Sequence, residues 1–209
     1  MKILFTFLLS VFLSALCHAQ IAVYMRMLDY SNNNIYNSGV AFPSDPKAYP
    51  TNTRNLHADE VAISTYSDGD EQTLNIGSQG TGSGAGKVAF NPLSFSKTPD
   101  AQSPKFFEMM ASGTPYKFVE FSFYKTAGTG SEVLTYKIRL GLVAFSAIQR
   151  ASAACSGNCP DIVENFAMQY GGKYIVYYSQ KPDGSPGTPV GYGWDRIHNV
   201  SWNGATTIQ

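Results

Sequence analysis

The chain has 209 residues, which is enough for one ordinary domain with a hydrophobic core. Its 15 basic and 15 acidic side chains balance, which argues against binding of nucleic acid or of a membrane surface by bulk charge. Charged residues make up only 14% of the chain, whereas Tyr and Phe number 13 each, and this composition favours an all-β protein over a helical one.

The N-terminal residues predict a secretory signal peptide that is removed from the mature protein. A positively charged start is followed by an apolar run over residues 3–16, and Cys17 and Ala19 place small side chains at positions −3 and −1 of a cleavage after Ala19. The run is too short to span a membrane, and Leu16 before the cysteine disfavours lipidation. We therefore expect one domain over residues 20–209 of an exported protein, periplasmic or secreted. A buried N-terminal strand or helix is the alternative.

Two cysteines, Cys155 and Cys159, remain after this cleavage, and an even number in an exported chain predicts a disulfide between them. The residues between them, Ser156, Gly157 and Asn158, bend easily enough to bring the two Cα atoms within bridging distance. A zinc site would need four ligands, and a redox site of the C-x-x-C type has a shorter spacing, so both alternatives are disfavoured.

The first half of the mature chain predicts strands separated by loops. Residues 21–30 form the first predicted strand, with apolar side chains on both faces, and the polar stretch 31–55 with its prolines predicts an extended loop. Alternating apolar and polar residues over 59–67 predict a half-buried strand. A further strand is predicted over residues 87–97, where Pro92 marks an edge or a bulge.

One helix is indicated in the middle of the chain. Ser103 suits the N-cap, Pro104 suits the first helical position, and Gly113 suits the position past the C-terminal end. The segments after it are three strand-like runs and a closing segment, over residues 116–125, 134–149, 163–180 and 191–202. One helix among seven or more strands predicts a barrel or sandwich that carries a single lateral helix.

The segment 80–87 is rich in glycine and looks at first like a phosphate-binding loop, but its residues do not fit one. The motif G-x-x-x-x-G-K-[ST] would need glycine and a hydroxyl where the chain has Thr81 and Val88. The dinucleotide motif G-x-G-x-x-G would need glycine where the chain has Ala85. We therefore expect no cofactor here and interpret the segment as a hairpin connection whose backbone lies against another surface, such as a neighbouring subunit.

Five segments of the chain occur in the order in which a known family has them. They extend from about His57 to Asn199 and read HADEVAIS, GSGAGKVAFNPLSFSK, SPKFFEMMASG, YKIRLGLVAFSAIQ and GYGWDRIHN. Together they resemble the Hcp family, the haemolysin-coregulated proteins that form the tube of the type VI secretion system. The resemblance implies an all-β fold, a compact Hcp-like β-barrel of two sheets with one lateral α-helix. It also implies hexameric rings that stack, with further copies of the chain, secreted effectors and sheath or spike components as partners.

The segment between the strands near Val61 and Val88 matches the family's protruding loop, which contacts the adjacent ring. The resemblance therefore implies a subunit-contact loop made of Gly80, Thr81, Gly82, Ser83, Gly84, Ala85, Gly86 and Lys87. A signal peptide and a long loop over residues 31–55 are unusual for the family. They leave an exported binding or adhesion module on the same fold as the alternative function.

The remaining conspicuous side chains have structural interpretations. His57, Asp59 and Glu60 are interpreted as a solvated strand start rather than as a metal or acid–base site, and Trp194 as a residue that closes the end of the barrel. His57 and His198 are the histidines that remain after cleavage, and neither lies in a known catalytic motif. We therefore expect no catalytic residues, no metal and no enzyme activity.

Overall fold

The computed structural model describes residues 21–36, 44–48, 57, 59–72, 87–126, 132–152, 162–182 and 185–209. In this part of the chain, eleven strands accompany one helix, which confirms the all-β prediction. In chain order the elements are β1 Ile21–Leu28, β2 Val61–Ile63, β3 Thr65–Ser67, β4 Asp70–Gln72, β5 Val88–Phe90, β6 Leu93–Lys97, α1 Ser103–Ser112, β7 Tyr116–Thr126, β8 Glu132–Ser152, β9 Ile162–Gln180, β10 Pro186–Asp195 and β11 Val200–Ser201.

Antiparallel pairing closes the larger sheet into a barrel. β1 pairs with β7 on one side and with β2 on the other, and β8 joins β7 to β9. β6 pairs with β9 and with β3. β2 and β3 are consecutive along the chain and are separated by Ser64, whose N–H donates to the Ser96 carbonyl at 2.8 Å. The circle of paired strands therefore returns to β1, and β10 and β11 extend it beside β9.

The prediction of a single strand over residues 59–67 is wrong in detail. The structure divides it into β2 and β3, because β2 pairs with β1 whereas β3 pairs with β6. The break allows one short run of chain to change partners and to close the barrel. The predicted interruption at Pro92 is confirmed, since it lies between β5 and β6.

The main hydrophobic core lies between the inward faces of these strands and is rich in aromatic side chains. Phe95 and Phe166 stack with ring centroids 4.8 Å apart. Phe106 and Met109 of α1 are buried in the same core, and the Phe106 ring lies 5.6 Å from the Phe166 ring. Burial of each such side chain stabilises the fold by about 1.5–3 kcal/mol, so the helix is held beside the barrel by its apolar face.

The predicted helix ends are right at the C-terminus and wrong by one residue at the N-terminus. Gly113 has a φ of 67° and terminates α1 in the left-handed conformation, as expected for a glycine in this place. Gln102, not Ser103, is the N-cap, and it makes no side-chain capping bond. The Ser103 hydroxyl instead lies beside the buried carboxylate of Glu164, to which it donates a hydrogen bond.

The outer face of the sheet carries a second hydrophobic cluster, which the C-terminal segment covers. Trp202 and Ile208 pack there with Phe118 and Tyr174. A Cβ atom on Gly172 would lie 2.2 Å from the Ile208 Cδ1 atom and 3.1 Å from the Trp202 ring, so the C-terminal segment packs directly on the backbone of β9 at this glycine. Both faces of the central strands are therefore largely buried.

The smaller sheet consists of β4 and β5, which pair antiparallel. It confirms the prediction of two sheets. The glycine-rich segment, predicted to be a hairpin connection, lies between its two strands in the sequence. We call residues 70–90, from the start of β4 to the end of β5, the arm, and we call β4 and β5 the arm base.

Candidate assembly site

The residues expected to contact a neighbouring subunit lie in the arm. Lys87, the last of them, is described by the structure, and it is exposed immediately before β5. The other seven, residues 80–86, lie outside the described residues. Lys87, Val88 and Ala89 line a cleft of about 400 Å3 together with Arg196 and Ile197, so the arm base borders the turn that follows β10.

An ionic contact connects the arm base to the middle of the main sheet. Lys173 of β9 donates to Asp68, just before the arm, and its Nζ lies 2.9 Å from Oδ2 of Asp70, the first residue of β4. The Lys173 side chain is only 6% exposed. Burial lowers the pKa of Lys173, but hydrogen bonds from the ammonium to Asp68 and Asp70 outweigh burial and raise the pKa above its ordinary value.

The second strand of the arm base is held by aromatic packing. Phe90 at the end of β5 is buried, and its ring stacks on the Tyr170 ring at a centroid distance of 5.2 Å and an interplanar angle of 19°. The Arg196 guanidinium lies 5.9 Å from the Phe90 centroid on the border of the cleft. The Asn91 N–H donates to the Gly69 carbonyl at 3.0 Å, which links the two chain segments that enter and leave the arm.

An exposed apolar strip lies on β9 and β10, on the face that also carries Lys173. Tyr177, Val190 and Tyr192 are 56%, 70% and 66% exposed, and Val190 lies directly across from Tyr177. On the outer edge of β10, β11 pairs with Trp194 and Asp195, and among the described residues no strand pairs with the rest of this edge. We call Tyr177, Val190 and Tyr192 the apolar strip. Contiguous exposed apolar side chains on an open strand edge are typical of subunit contacts.

A buried ionic centre lies on the outer face of the barrel. Glu120 is fully buried between Arg26 and Arg139, and the Nε atoms of both arginines lie 2.9 Å from its carboxylate oxygens. Lys137 Nζ lies 3.6 Å from the same carboxylate. Burial alone would raise the pKa of Glu120, but the charges of Arg26, Lys137 and Arg139 hold it well below its ordinary value.

The same cations hold part of the long polar loop over this face. Arg139 donates to the Ser44 carbonyl at 3.2 Å and to the Gly204 carbonyl at 3.1 Å. Lys137 donates to the Ala48 carbonyl at 3.0 Å. Residues 44–48 of the predicted loop are therefore not a free surface segment, because their carbonyls satisfy buried cations.

The interpretation of His57, Asp59 and Glu60 as a solvated strand start is wrong. Asp59 is buried and lies 3.4 Å from Arg26, and the Glu60 side chain is only 3% exposed. His57 lies between two carboxylates, with Nδ1 2.8 Å from Glu60 and Nε2 2.6 Å from Glu132. A strand start can be buried here because Asp59 and Glu60 lie beside Arg26 of the ionic centre, whose charge compensates theirs.

A second buried polar cluster lies at the N-terminus of α1. The Lys97 ammonium is fully buried and lies 3.1 Å from Asp100, 3.3 Å from Glu164 and 3.2 Å from the Ser103 hydroxyl. Arg150 lies 2.8 Å from the other Glu164 oxygen. Because Lys97 is ion-paired to two carboxylates, it is not free to act as a base toward Ser103. The cluster fixes the start of the helix on the barrel.

The other predicted site residues are as follows. Trp194 is half-buried against the main core. Cys155, Cys159 and residues 1–19 lie outside the described residues. In the residues that the structure describes, no group of three or more His, Cys, Asp or Glu side chains has an arrangement that could hold a metal ion.

Comparison with known proteins identifies the family. Residues 51–177 match the family described as "Type VI secretion system effector, Hcp". The protein Hcp1 of Pseudomonas aeruginosa is 33% identical over 115 residues, which cover 54% of this chain and 68% of that protein. The chain belongs to the Hcp family. It is therefore a tube-forming Hcp-like subunit of the type VI secretion system, and this family is one of structural tube proteins.

Solved structures agree with the Hcp fold. A type six secretion system protein superposes with a TM-score of 0.66 at 18% identity, over 88% of this chain and 100% of that one. A mutant Hcp1 protein from the E. coli EAEC 042 pathovar superposes with a TM-score of 0.58 at 17% identity, over 82% of this chain and 97% of that one. The described part of this Hcp-family chain has no helix long and apolar enough to cross a membrane.

The sequence analysis missed the residues that hold the arm base and the ionic centre. Lys173, Asp68 and Asp70 are ordinary charged residues in the sequence and lie in no motif. Arg26 carries a weak signal, since it is the one charge in a strand that is otherwise apolar on both faces, and Glu120 carries another, since apolar residues flank it directly in β7. Such charges are rarely buried without partners, so their presence indicates an ion pair but not its members.

Proposed function

We propose that this Hcp-family chain assembles into hexameric rings that stack into a tube, with the arm of each subunit in contact with the adjacent ring. The observation that carries the proposal is the arm itself. Its base, β4 and β5, forms a two-stranded sheet separate from the larger one, and the sequence between the strands near Val61 and Val88 resembles the family's protruding loop. A connection with few side chains can lie with its backbone close to another surface.

Lateral contacts within a ring need two different patches that are complementary to each other, because a ring joins its subunits head to tail. The apolar strip is our candidate for one patch, because Val190 and Tyr192 lie on the open edge of β10. The occupant that we propose for it is a second copy of this chain. The lateral contacts would then be independent of the arm, so that rings and stacks can be separated by experiment.

Deletion of Thr81–Ala85 tests the role of the arm. We expect the variant to form single rings and to lose stacking, as measured by light scattering and electron microscopy. A matched control removes Gly128 and Thr129 from the connection between β7 and β8, which shortens another glycine-containing connection, and it should stack normally. Full stacking by the arm deletion would refute the proposed role of the arm. A monomeric wild type at high concentration would favour the exported binding or adhesion module.

We also propose that residues 1–19 are a signal peptide and that the exported domain, residues 20–209, contains a disulfide between Cys155 and Cys159. The charged, apolar and small residues of the N-terminus support export, and the even number of remaining cysteines supports the disulfide. Mass spectrometry of the cell-envelope protein should find a chain that starts at Gln20. Alkylation of two free thiols in the natively purified protein would contradict the disulfide.

The tube subunit is further proposed to act without catalysis and without a cofactor, and to contact secreted effectors and sheath or spike components. The match to the Hcp family supports this proposal. The ion pairing of Lys97 to two carboxylates beside Ser103 supports the absence of catalysis. Incubation of purified rings with generic ester, peptide and nucleotide substrates should give no turnover above the buffer rate.

A further inference from the structure

We propose that Lys173 is a positioning residue for the arm: its ion pairs with Asp68 and Asp70 fix the direction in which the arm leaves the barrel. This inference rests on the proposed function of the arm as the contact to the adjacent ring. It adds to that function a specific internal contact on which stacking depends.

The position of Lys173 suits this role because it lies on β9, a strand that is paired on both sides. It is paired across to Leu140 of β8 on one side and to Trp194 of β10 on the other. A residue with hydrogen-bonded strands on both sides moves less than a residue on an edge. The arm base is therefore connected to a rigid reference and not to another loop.

The partners of Lys173 lie at the point where the chain leaves the main sheet for the arm. Asp68 follows β3, which pairs with β6 in the main sheet, and Asp70 begins β4, which pairs with β5 in the small sheet. One ammonium therefore bonds a carboxylate on each side of this junction. Such a contact restricts the angle between the two sheets.

The unequal burial of the three side chains limits the directions in which the arm can move. Lys173 is 6% exposed, whereas Asp68 and Asp70 are 18% and 39% exposed. A buried ammonium loses hydration and needs acceptors from the protein, and within the described residues these two carboxylates are its ion-pair partners. The arm cannot turn away without leaving Lys173 unpaired in the sheet.

The contact of Phe90 with Tyr170 explains why loss of Lys173 would redirect the arm rather than detach it. Phe90 is buried and connects β5 to β9 by packing that does not involve charge. Without the ion pairs, β5 would remain attached at Phe90 while β4 lost its connection to β9. The arm could then turn about the Phe90 contact and the Asn91–Gly69 hydrogen bond.

The test uses the mature protein with Lys173→Met, which keeps the apolar stem and removes the charge. The matched control is Lys125→Met, at an exposed lysine of β7. We expect amide hydrogen exchange of residues 70–72 and 88–90 to become at least about tenfold faster in the Lys173 variant and to stay unchanged in the control. We expect the Lys173 variant to form rings and to lose most stacks in electron micrographs.

The outcomes separate this inference from the proposed function. Unchanged exchange in the arm base overturns the inference. Faster exchange with normal stacking also overturns it if deletion of Thr81–Ala85 abolishes stacks, because the arm would then work without a fixed direction. If exchange is faster but stacks survive both Lys173→Met and the deletion of Thr81–Ala85, the role of Lys173 is supported. The proposed role of the arm is then refuted.

A second variant keeps the test valid if Lys173→Met does not fold. Asp70→Asn removes the more exposed carboxylate and leaves Asp68 to pair with Lys173. We expect a smaller increase in exchange at residues 70–72, about threefold, with shorter stacks. Exchange and stack length equal to those of the wild type would overturn the inference.

Discussion

Arg26 and Glu120 face each other across the pair of β1 and β7, and the arginine donates from Nε to the buried carboxylate at 2.9 Å. On the other side of Glu120, Arg139 faces it across the pair of β7 and β8. One carboxylate thus joins three neighbouring strands in the layer under the polar loop. Since the Glu120 side chain is fully buried, neither arginine can exchange this partner for water.

Glu120→Gln should destabilise the protein strongly. The change removes the carboxylate charge that Arg26, Lys137 and Arg139 share and leaves an excess of buried positive charge, which costs about 3–5 kcal/mol for the loss of one member of a buried ion pair. Urea unfolding at neutral pH measures the loss as a lower free energy of unfolding. Glu108→Gln is the control, because that side chain is 66% exposed on α1 and should change the free energy by about 1 kcal/mol or less. Equal losses for the two variants would contradict the buried ionic centre.

His57 should stabilise the fold more at acidic than at alkaline pH. Burial alone would lower the pKa of His57, but hydrogen bonds to Glu60 and Glu132 raise it above the ordinary value. A raised pKa in the folded state means that the stabilisation is fully present below the unfolded value of about 6.5 and is lost as pH rises through the folded value. The stacked Tyr24 ring, with its centroid 3.5 Å away, keeps the imidazole in place at either pH.

The free energy lost in His57→Gln should therefore be larger at about pH 5.5 than at about pH 9. Unfolding curves of the wild type and the variant at both pH values give this difference. His198→Gln serves as the control, because the His198 side chain is 57% exposed, so that solvent screens its side of the pairing with Asp195. A loss that is the same at both pH values would mean that the charge of His57 contributes nothing.

Gly193→Ala should destabilise the protein through a steric clash with rigid neighbours. The added Cβ atom would lie 2.4 Å from the Tyr174 ring and 2.7 Å from the Lys173 carbonyl oxygen. Overpacking of this kind costs about 1–3 kcal/mol, which lowers the melting temperature by about 2–4 °C for each kcal/mol in a protein of this size. Gly69→Ala is the comparison, since its nearest contact is the Asn91 side chain at 3.3 Å, and it should melt within about 2 °C of the wild type.

Val190→Asp should weaken ring formation without unfolding the subunit. Val190 is 70% exposed in the apolar strip, so a charge there costs little in the monomer, about 0.5 kcal/mol or less, but must be desolvated in a subunit contact. Size-exclusion chromatography with light scattering should show the shift from rings to monomers. Thr188→Asp introduces the same charge at another exposed position of β10, outside the strip, and should leave rings intact. Rings that persist in both variants would exclude the strip as a lateral contact.

The elements with a clear local pattern could be predicted from the sequence. The predicted runs 116–125, 134–149 and 163–180 correspond to β7, β8 and β9 within a few residues. The helix was recognisable from Pro104 and Gly113, because each of these residues restricts the backbone on its own. The glycine-rich connection was recognisable as a hairpin connection because Thr81, Ala85 and Val88 do not fit the nucleotide-binding motifs.

The buried charges and the attachment of the arm were decided by the tertiary structure. Arg26 and Glu120 are 94 residues apart in the sequence, and Lys173 and Asp70 are 103 apart. Nothing local to Asp59 indicates that it is buried, because its compensating charge comes from Arg26 on another strand. A period of two residues predicts which face of a strand is apolar, but the pairing of distant strands determines which polar groups share a buried space. The sequence by itself therefore determines the strands, the helix and the family, whereas the closed barrel alone brings Lys173 to the base of the arm.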